Sequence, residues 1–103
     1  MIARRWSARA TRDNATRYTR YFRETLTPHL RELAGYRGAT LLERNVADAI
    51  EIQVITWWES MAAIRAFAGA DLSVAVVSDE ARALLLDSDA HVDHAEVTLD
   101  DRV

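Results

Sequence analysis

The 103-residue chain has no cysteine, and this absence excludes disulfides, thiolate metal sites and a cysteine nucleophile. It has no apolar run near the roughly 20 residues that a membrane span needs. Its N-terminus is charged and alternating rather than like a signal peptide. A net charge of only −3 leaves no general basic surface for nucleic acid. We therefore expect a soluble cytoplasmic protein that binds neither membrane nor nucleic acid.

The sequence also lacks the motifs of several enzyme classes, since it has no Gly-rich phosphate loop, no Ser-His-Asp order and no Glu-x-x-His pair. His91 and His94 would point to opposite faces of a regular strand, and His29 stands far from both. We therefore expect no metal site. The length allows one domain, residues 1–103. Half of the residues are hydrophobic, but a monomer this small leaves much of its surface exposed, so dimerisation would help.

The hydrophobic residues that are present change period along the chain, and the period predicts the elements. A period of two, typical of strands, covers residues 2–11, 39–44, 49–58 and 91–99. Helical spacing covers residues 14–33, 60–67, 72–76 and 79–86. Pro28 should kink the first helix or split off its last turn, because proline removes a helix hydrogen bond. Thr11 or Asp13 is expected to cap the first helix, Ser60 the second and Asp79 the last.

This β-α-β-β-α-β order predicts an α+β fold of the ferredoxin-like split β-α-β type, with one antiparallel four-stranded sheet and helices on one face only. The third strand shows why the faces differ. One face is apolar and is expected to carry the helices: Ile50, Ile52, Val54, Thr56 and Trp58. The other face is mixed: Glu51, Gln53, Ile55 and Trp57. This second face suits burial against a second copy of the chain.

Two polar residues are candidates for chemistry. His94 lies on the closing strand, where it shares a face with Glu96, and histidine is the one side chain whose ordinary pKa is near neutral pH. It would act as a general base or as a hydrogen-bond donor, or else as a structural histidine at an interface. Arg4 shares a face with Trp6 and would either clamp a carboxylate or enolate oxygen, or pair with Glu43 or Glu96.

Aromatic residues are spaced so that they would meet between the helices and the sheet. There they would either line a pocket in which a flat aromatic substrate stacks, or simply fill the core. The candidates are Trp6, Tyr18, Tyr21, Phe22, Trp58 and Phe67.

Several short motifs resemble the antibiotic biosynthesis monooxygenase family. They are residues 57–60 (Trp-Trp-Glu-Ser), 63–69 (Ala-Ile-Arg-Ala-Phe-Ala-Gly), Ala75-Val76 and 94–97 (His-Ala-Glu-Val), supported by Ile2-Ala3-Arg4, Trp6 and 35–38 (Gly-Tyr-Arg-Gly). The resemblance covers almost the whole chain. It implies a homodimer, a dimeric α+β barrel in which two ferredoxin-like sheets pack face to face. It also implies a cofactor-independent monooxygenase for a small aromatic or polyketide-like substrate.

Other members of that family have other activities or none established. The haem-degrading members use an Asn in the first strand, a Trp in the middle helical region and a later His. Here the first strand has no Asn, Phe67 takes the place of the Trp, and Val76-Val77 takes the place of the His. We therefore do not expect haem degradation. The alternative to the monooxygenase is a non-catalytic small-ligand-binding or structural barrel protein.

Overall fold

A computed structural model describes residues 1–103. Its strands are β1 (Ile2–Ala10), β2 (Tyr36–Val46), β3 (Ala49–Trp58), β4 (Asp87–Ser88) and β5 (Asp93–Glu96). Its helices are α1 (Arg12–Tyr21), α2 (Thr27–Arg31), α3 (Met61–Ala68) and α4 (Asp79–Arg82), and a π-helical turn, Phe22–Leu26, joins α1 to α2. The α+β class and the predicted order of elements are confirmed. No helix has both the length and the apolar composition to cross a membrane.

All strand pairs are antiparallel, and the sheet has the order β2-β3-β1-β4, with β5 on the same edge of β1 as β4. β4 pairs with Ala8 and Arg9, whereas β5 pairs with residues 2–5. The sheet is therefore four positions wide, as predicted. Its fourth position is split into two short strands, which corrects the single strand predicted over residues 91–99.

The helices cover one face of the sheet, and the core lies between them. The apolar face of β3 is buried as predicted, and its Ile52 and Trp58 are fully buried with Leu30 of α2 and Ile64 of α3. Thr11 caps α1 by accepting the Asn14 amide, and Ser60 caps α3 by accepting the Ala63 amide. Both caps were among those that the sequence predicted, because a short hydroxyl side chain satisfies an otherwise free helix N–H.

The predicted break at Pro28 lies at the π-helical turn. The Thr27 amide bonds to the Phe22 carbonyl, five residues back, rather than to the Arg23 carbonyl. The Thr27 hydroxyl donates to that Arg23 carbonyl instead, at 2.6 Å. Pro28 has no N–H and would clash with the carbonyl four residues before it in a regular helix, so the turn widens where the proline follows.

Residues 72–78, which we call the 72–78 segment, are not helical, so the helix predicted over 72–76 is wrong. Val74 forms a β-bridge with His91. The Ala75 amide donates to the Ala90 carbonyl at 3.0 Å. The valines of this segment favour extended backbone, and residues 90–92 offer it partners. The following helix α4 is capped by Ser78, not by Asp79, which is its first residue.

The face of the sheet without helices carries charged pairs around an apolar centre. Arg5 pairs with Asp93 at 2.7 Å, and Arg44 pairs with Glu51 at 2.8 Å. Ile55 of β3 lies directly opposite Arg5 and is partly exposed. We call this surface the outer face; it has the mixed character that the sequence indicated.

Candidate functional site

A cavity of about 120 Å³ lies between the π-helical turn, the sheet and the 72–78 segment. Of its 16 lining residues, 13 are hydrophobic. Five of the six aromatic candidates line it: Trp6, Tyr18, Tyr21, Phe22 and Phe67. The cavity is therefore apolar and aromatic, as small-molecule sites generally are.

Tyr18 of α1 is the centre of the aromatic wall. Its ring centroid lies 6.3 Å from that of Trp6, 6.1 Å from that of Tyr21 and 6.2 Å from that of Phe22, all in tilted arrangements. Helical spacing places Tyr18, Tyr21 and Phe22 on one side of the helix, and the alternation of β1 points Trp6 at the same space. The wall is thus built from two elements that the sequence pattern located correctly.

Trp58 is the aromatic candidate that does not line the cavity. It is fully buried behind Phe67, with ring centroids 5.7 Å apart and nearly parallel. Its indole N–H donates to the Thr56 hydroxyl at 2.8 Å. Trp58 therefore supports the cavity wall from the core and has no surface for a ligand.

Arg4 is the charged group at the cavity, and only 5% of its surface is exposed. Its Nη1 donates to the Leu72 carbonyl at 2.6 Å and to His94, and its Nη2 donates to the Val74 carbonyl at 3.0 Å. The guanidinium also lies 5.8 Å from the centroid of the Phe67 ring, within the range of a cation–π contact.

Arg4 has no carboxylate partner within salt-bridge distance. The sequence left pairing with Glu43 or Glu96 open, and neither pair forms, because the register sets His94 opposite Arg4. Burial lowers the pKa of Arg4. A guanidinium still keeps its proton at neutral pH, so the site holds a buried positive charge that no acid neutralises.

His94 of β5 lies beside Arg4 and does not line the cavity. Its Nε2 is 3.0 Å from Arg4 Nη1. Because a guanidinium only donates, Nε2 accepts, and the neutral ring carries its proton on Nδ1. Burial and the nearby Arg4 charge lower the pKa of His94, while Asp93 opposes them. The structure therefore favours a neutral imidazole whose Nε2 lone pair is already used.

Four hydroxyl groups complete the polar lining, and they differ in what they bind. Thr56 accepts the Trp58 indole N–H, and the Tyr21 hydroxyl lies 2.8 Å from the Ser78 hydroxyl. The hydroxyl of Tyr18 makes no hydrogen bond within the chain, although only 3% of the residue is exposed. Burial raises the pKa of Tyr18, so its phenol stays protonated and can donate.

Sequence reasoning missed the 72–78 segment as part of the site. Its backbone binds Arg4 through two carbonyls, and Ala75, Val76, Val77 and Ser78 line the cavity. Only the run of valines signalled extended backbone, and no side chain in it signalled a site. The chain shows no group of three or more His, Asp or Glu side chains placed to hold a metal ion.

Comparison with known proteins identifies the family of this chain and a solved structure with a similar fold. Residues 1–78 match the family model described as antibiotic biosynthesis monooxygenase. A crystal structure of a candidate antibiotic biosynthesis monooxygenase from Bacillus cereus is similar over 100% of this chain and 96% of its own, with a TM-score of 0.69 and 14% identity. That likeness shows the fold. No curated protein matches the sequence. Because the family model covers all of β1 to α3 and the lining segment after them, this chain belongs to the antibiotic biosynthesis monooxygenase family.

Proposed function

We propose that the protein is a cofactor-independent monooxygenase that acts on a small aromatic or polyketide-like substrate. The observation that carries this proposal is the buried charge of Arg4, which faces an aromatic cavity and has no carboxylate partner. An unneutralised cation in a mostly apolar site favours an anion beside it, because the low local dielectric strengthens the attraction. A flat phenolate or enolate would meet both features.

The chemistry requires a substrate that supplies its own electrons. Arg4 stabilises the oxyanion and so lowers the pKa of a phenol or enol bound next to it. The resulting anion is electron-rich enough to reduce dioxygen. In the complete reaction a substrate CH₂ becomes a carbonyl, four electrons pass to dioxygen, and the second oxygen atom leaves as water with the two hydrogens. The mostly hydrophobic lining gives this exchange apolar surroundings.

His94 acts through Arg4 in this proposal, as a positioning residue. The general-base role that the sequence suggested would need a free imidazole nitrogen at the ligand, whereas Nε2 accepts from Arg4 and the ring lies outside the cavity lining. By accepting one guanidinium N–H, His94 fixes the plane of Arg4 against the cavity. Arg4 and the aromatic residues then make the contacts with the substrate.

One observation favours the alternative, a non-catalytic protein that binds a small ligand. None of the lining residues is a histidine or a carboxylate, so no lining side chain is an obvious proton acceptor. A substrate that is acidic enough to ionise beside Arg4 would need no such base. A compound that is too weakly acidic to ionise there would bind without reacting.

Oxygen uptake decides between these two functions. We expect uptake that depends on the protein and saturates with substrate when an electron-rich phenol or enol is supplied. With ¹⁸O₂, one labelled atom should enter the product. Calorimetric binding of the same compounds without any protein-dependent uptake would support the ligand-binding alternative instead.

We also propose that the protein is a homodimer whose subunits pack through their outer faces. The outer face combines partly exposed Ile55 and Trp57 with exposed Leu42. Charged pairs such as Arg5–Asp93 surround this apolar centre. An apolar centre inside a polar rim is the usual anatomy of a protein interface, and a second copy presents the same surface in the isologous arrangement of most dimers.

A further inference from the structure

The cavity is too small for a polycyclic molecule. At about 120 Å³ it is somewhat smaller than an engineered apolar cavity of about 150 Å³ that holds benzene. One aromatic ring therefore fills the space between Tyr18, Phe22 and Phe67, which is partly open to solvent. A three-ring compound would have to leave most of its surface outside the cavity or force the walls apart.

Arg4 keeps donors available for this ring. A guanidinium has five N–H groups, and three of them are used by the Leu72 and Val74 carbonyls and by His94. The N–H on Nε and the second N–H on Nη2 make no bond within the chain. No buried side-chain nitrogen or oxygen in the chain is without any partner, so Nε, which makes no bond, lies where solvent or a ligand reaches it.

Tyr18 offers a second anchor at a different part of the cavity wall. Its hydroxyl has no partner in the chain, and for the same reason it keeps access to open space. The other hydroxyls of the lining are already engaged, that of Tyr21 with Ser78 and that of Thr56 with Trp58. Tyr18 is therefore the neutral lining donor left to a ligand, and Arg4 is the charged one.

From these three features we infer that the ligand of the cavity is a single-ring phenol or enol with two polar groups. Its oxyanion binds Arg4, and its second oxygen accepts the hydroxyl hydrogen of Tyr18. The inference rests on the proposed function in one respect, that the cavity is the substrate site. It makes Tyr18 a residue that determines specificity among aromatic compounds.

The test measures binding by calorimetry without oxygen, so that it does not depend on turnover. The probes are phenol, the three dihydroxybenzenes and an anthrone. At least one dihydroxybenzene should bind more tightly than phenol, because only it reaches Tyr18. Tyr18→Phe should remove that advantage, about threefold to tenfold for one neutral hydrogen bond, and should leave phenol binding unchanged. Tyr36→Phe, which removes a hydroxyl outside the cavity lining, should change neither.

Two outcomes would overturn the inference. One is an anthrone that binds as tightly as the best single-ring compound. The other is a dihydroxybenzene advantage that is absent from the wild-type protein or that survives Tyr18→Phe. The comparison of ligands on the wild-type protein remains decisive if Tyr18→Phe does not fold. Selective binding of a dihydroxybenzene without oxygen uptake would keep this inference and refute the proposed monooxygenase.

Discussion

Arg4 of β1 and His94 of β5 lie opposite each other on neighbouring antiparallel strands, and the imidazole Nε2 accepts a guanidinium N–H at 3.0 Å. The same guanidinium binds the backbone of the 72–78 segment through Leu72 and Val74. One buried side chain thus joins two strands to the segment that lines the cavity. Changes at this pair should affect the site and the stability of the fold together.

Replacing Arg4 should lower the proposed activity by a larger factor than the accompanying loss of folded protein explains. Arg4→Leu removes the charge that would stabilise the oxyanion, and we expect kcat/KM for oxygen uptake to fall about 10²-fold to 10³-fold. Arg4→Lys keeps the charge and should retain part of the activity. Thermal unfolding of each variant shows how much folded protein remains. Arg17→Leu, an exposed change on α1, is the control, and equal activity in Arg4→Leu and wild type would contradict the assignment.

Stability should fall as pH drops just below the ordinary His pKa of 6.5, because the folded-state pKa of His94 is lowered. Between the two pKa values the unfolded chain binds more protons than the folded one, so acidification favours unfolding. Below the folded-state pKa this loss is complete. A protonated imidazole would also stand 3.0 Å from the Arg4 cation. The melting temperature, measured between about pH 7 and 5, checks this dependence.

His94→Gln is the matched variant for that measurement, since its amide oxygen can accept from Arg4 but does not titrate. Its melting temperature should change less over the same range. Glu51 and Asp87 do not interfere, because arginine partners lower the pKa values of both carboxyls and move their protonation to more acidic pH. The same slope in the variant and the wild type would remove His94 as the cause. Oxygen uptake retained in His94→Gln would support positioning over general-base catalysis.

A charge in the middle of the outer face should break the proposed dimer. Ile55→Asp puts a carboxylate at the apolar centre beside Arg5, which already pairs with Asp93. Burying this additional carboxylate at the interface would cost several kcal/mol. Sedimentation or light scattering should then show a monomer with native circular dichroism. Ala62→Asp, at an exposed position of α3 away from the outer face, should leave assembly unchanged. A dimer of normal stability with Ile55→Asp would refute the interface.

Two glycines with positive φ should respond to alanine for different reasons. Gly35 has φ of 87°, and Gly69 has φ of 81° with ψ of −156°, so a side chain at either position strains the backbone by about 1–3 kcal/mol. A Cβ on Gly35 would also lie 2.5 Å from the Cβ of Ala63, whereas a Cβ on Gly69 would meet nothing within 4 Å. Gly35→Ala should therefore add a steric cost of about 1–3 kcal/mol to its backbone strain, whereas Gly69→Ala should lose stability through backbone strain alone. A loss for Gly35→Ala in denaturant titrations no larger than about 1 kcal/mol would contradict this close approach of the α2–β2 turn to α3.

The strands and the long helix could be predicted because their signal is local. Successive side chains of β3 point alternately to the core and to the outer face, so a period of two identifies both the element and its faces. The 72–78 segment was misread because Leu72 and Val76 fit a helical spacing, while its extended backbone depends on partners at residues 90–92. The division of the fourth strand has no local signal either.

The site could be predicted only in outline. Trp6, Tyr18 and Phe22 were expected to lie together, because each stands on the core side of its element. Whether they enclose space or fill it depends on side-chain packing, which the periodicity does not encode. The packing leaves room at Phe67 and none at Trp58, although both residues fit the same aromatic pattern.

The sequence by itself determined the architecture of this protein, since the hydrophobic period along each element depends on neighbouring residues alone. Only the tertiary structure decided what Arg4 and His94 do, because their partners are remote in the chain. The bond between them joins positions 90 residues apart, and the bond to the Leu72 carbonyl spans 68. Which nitrogen donates, which lone pair is taken and which charge stays unneutralised follow from that packing.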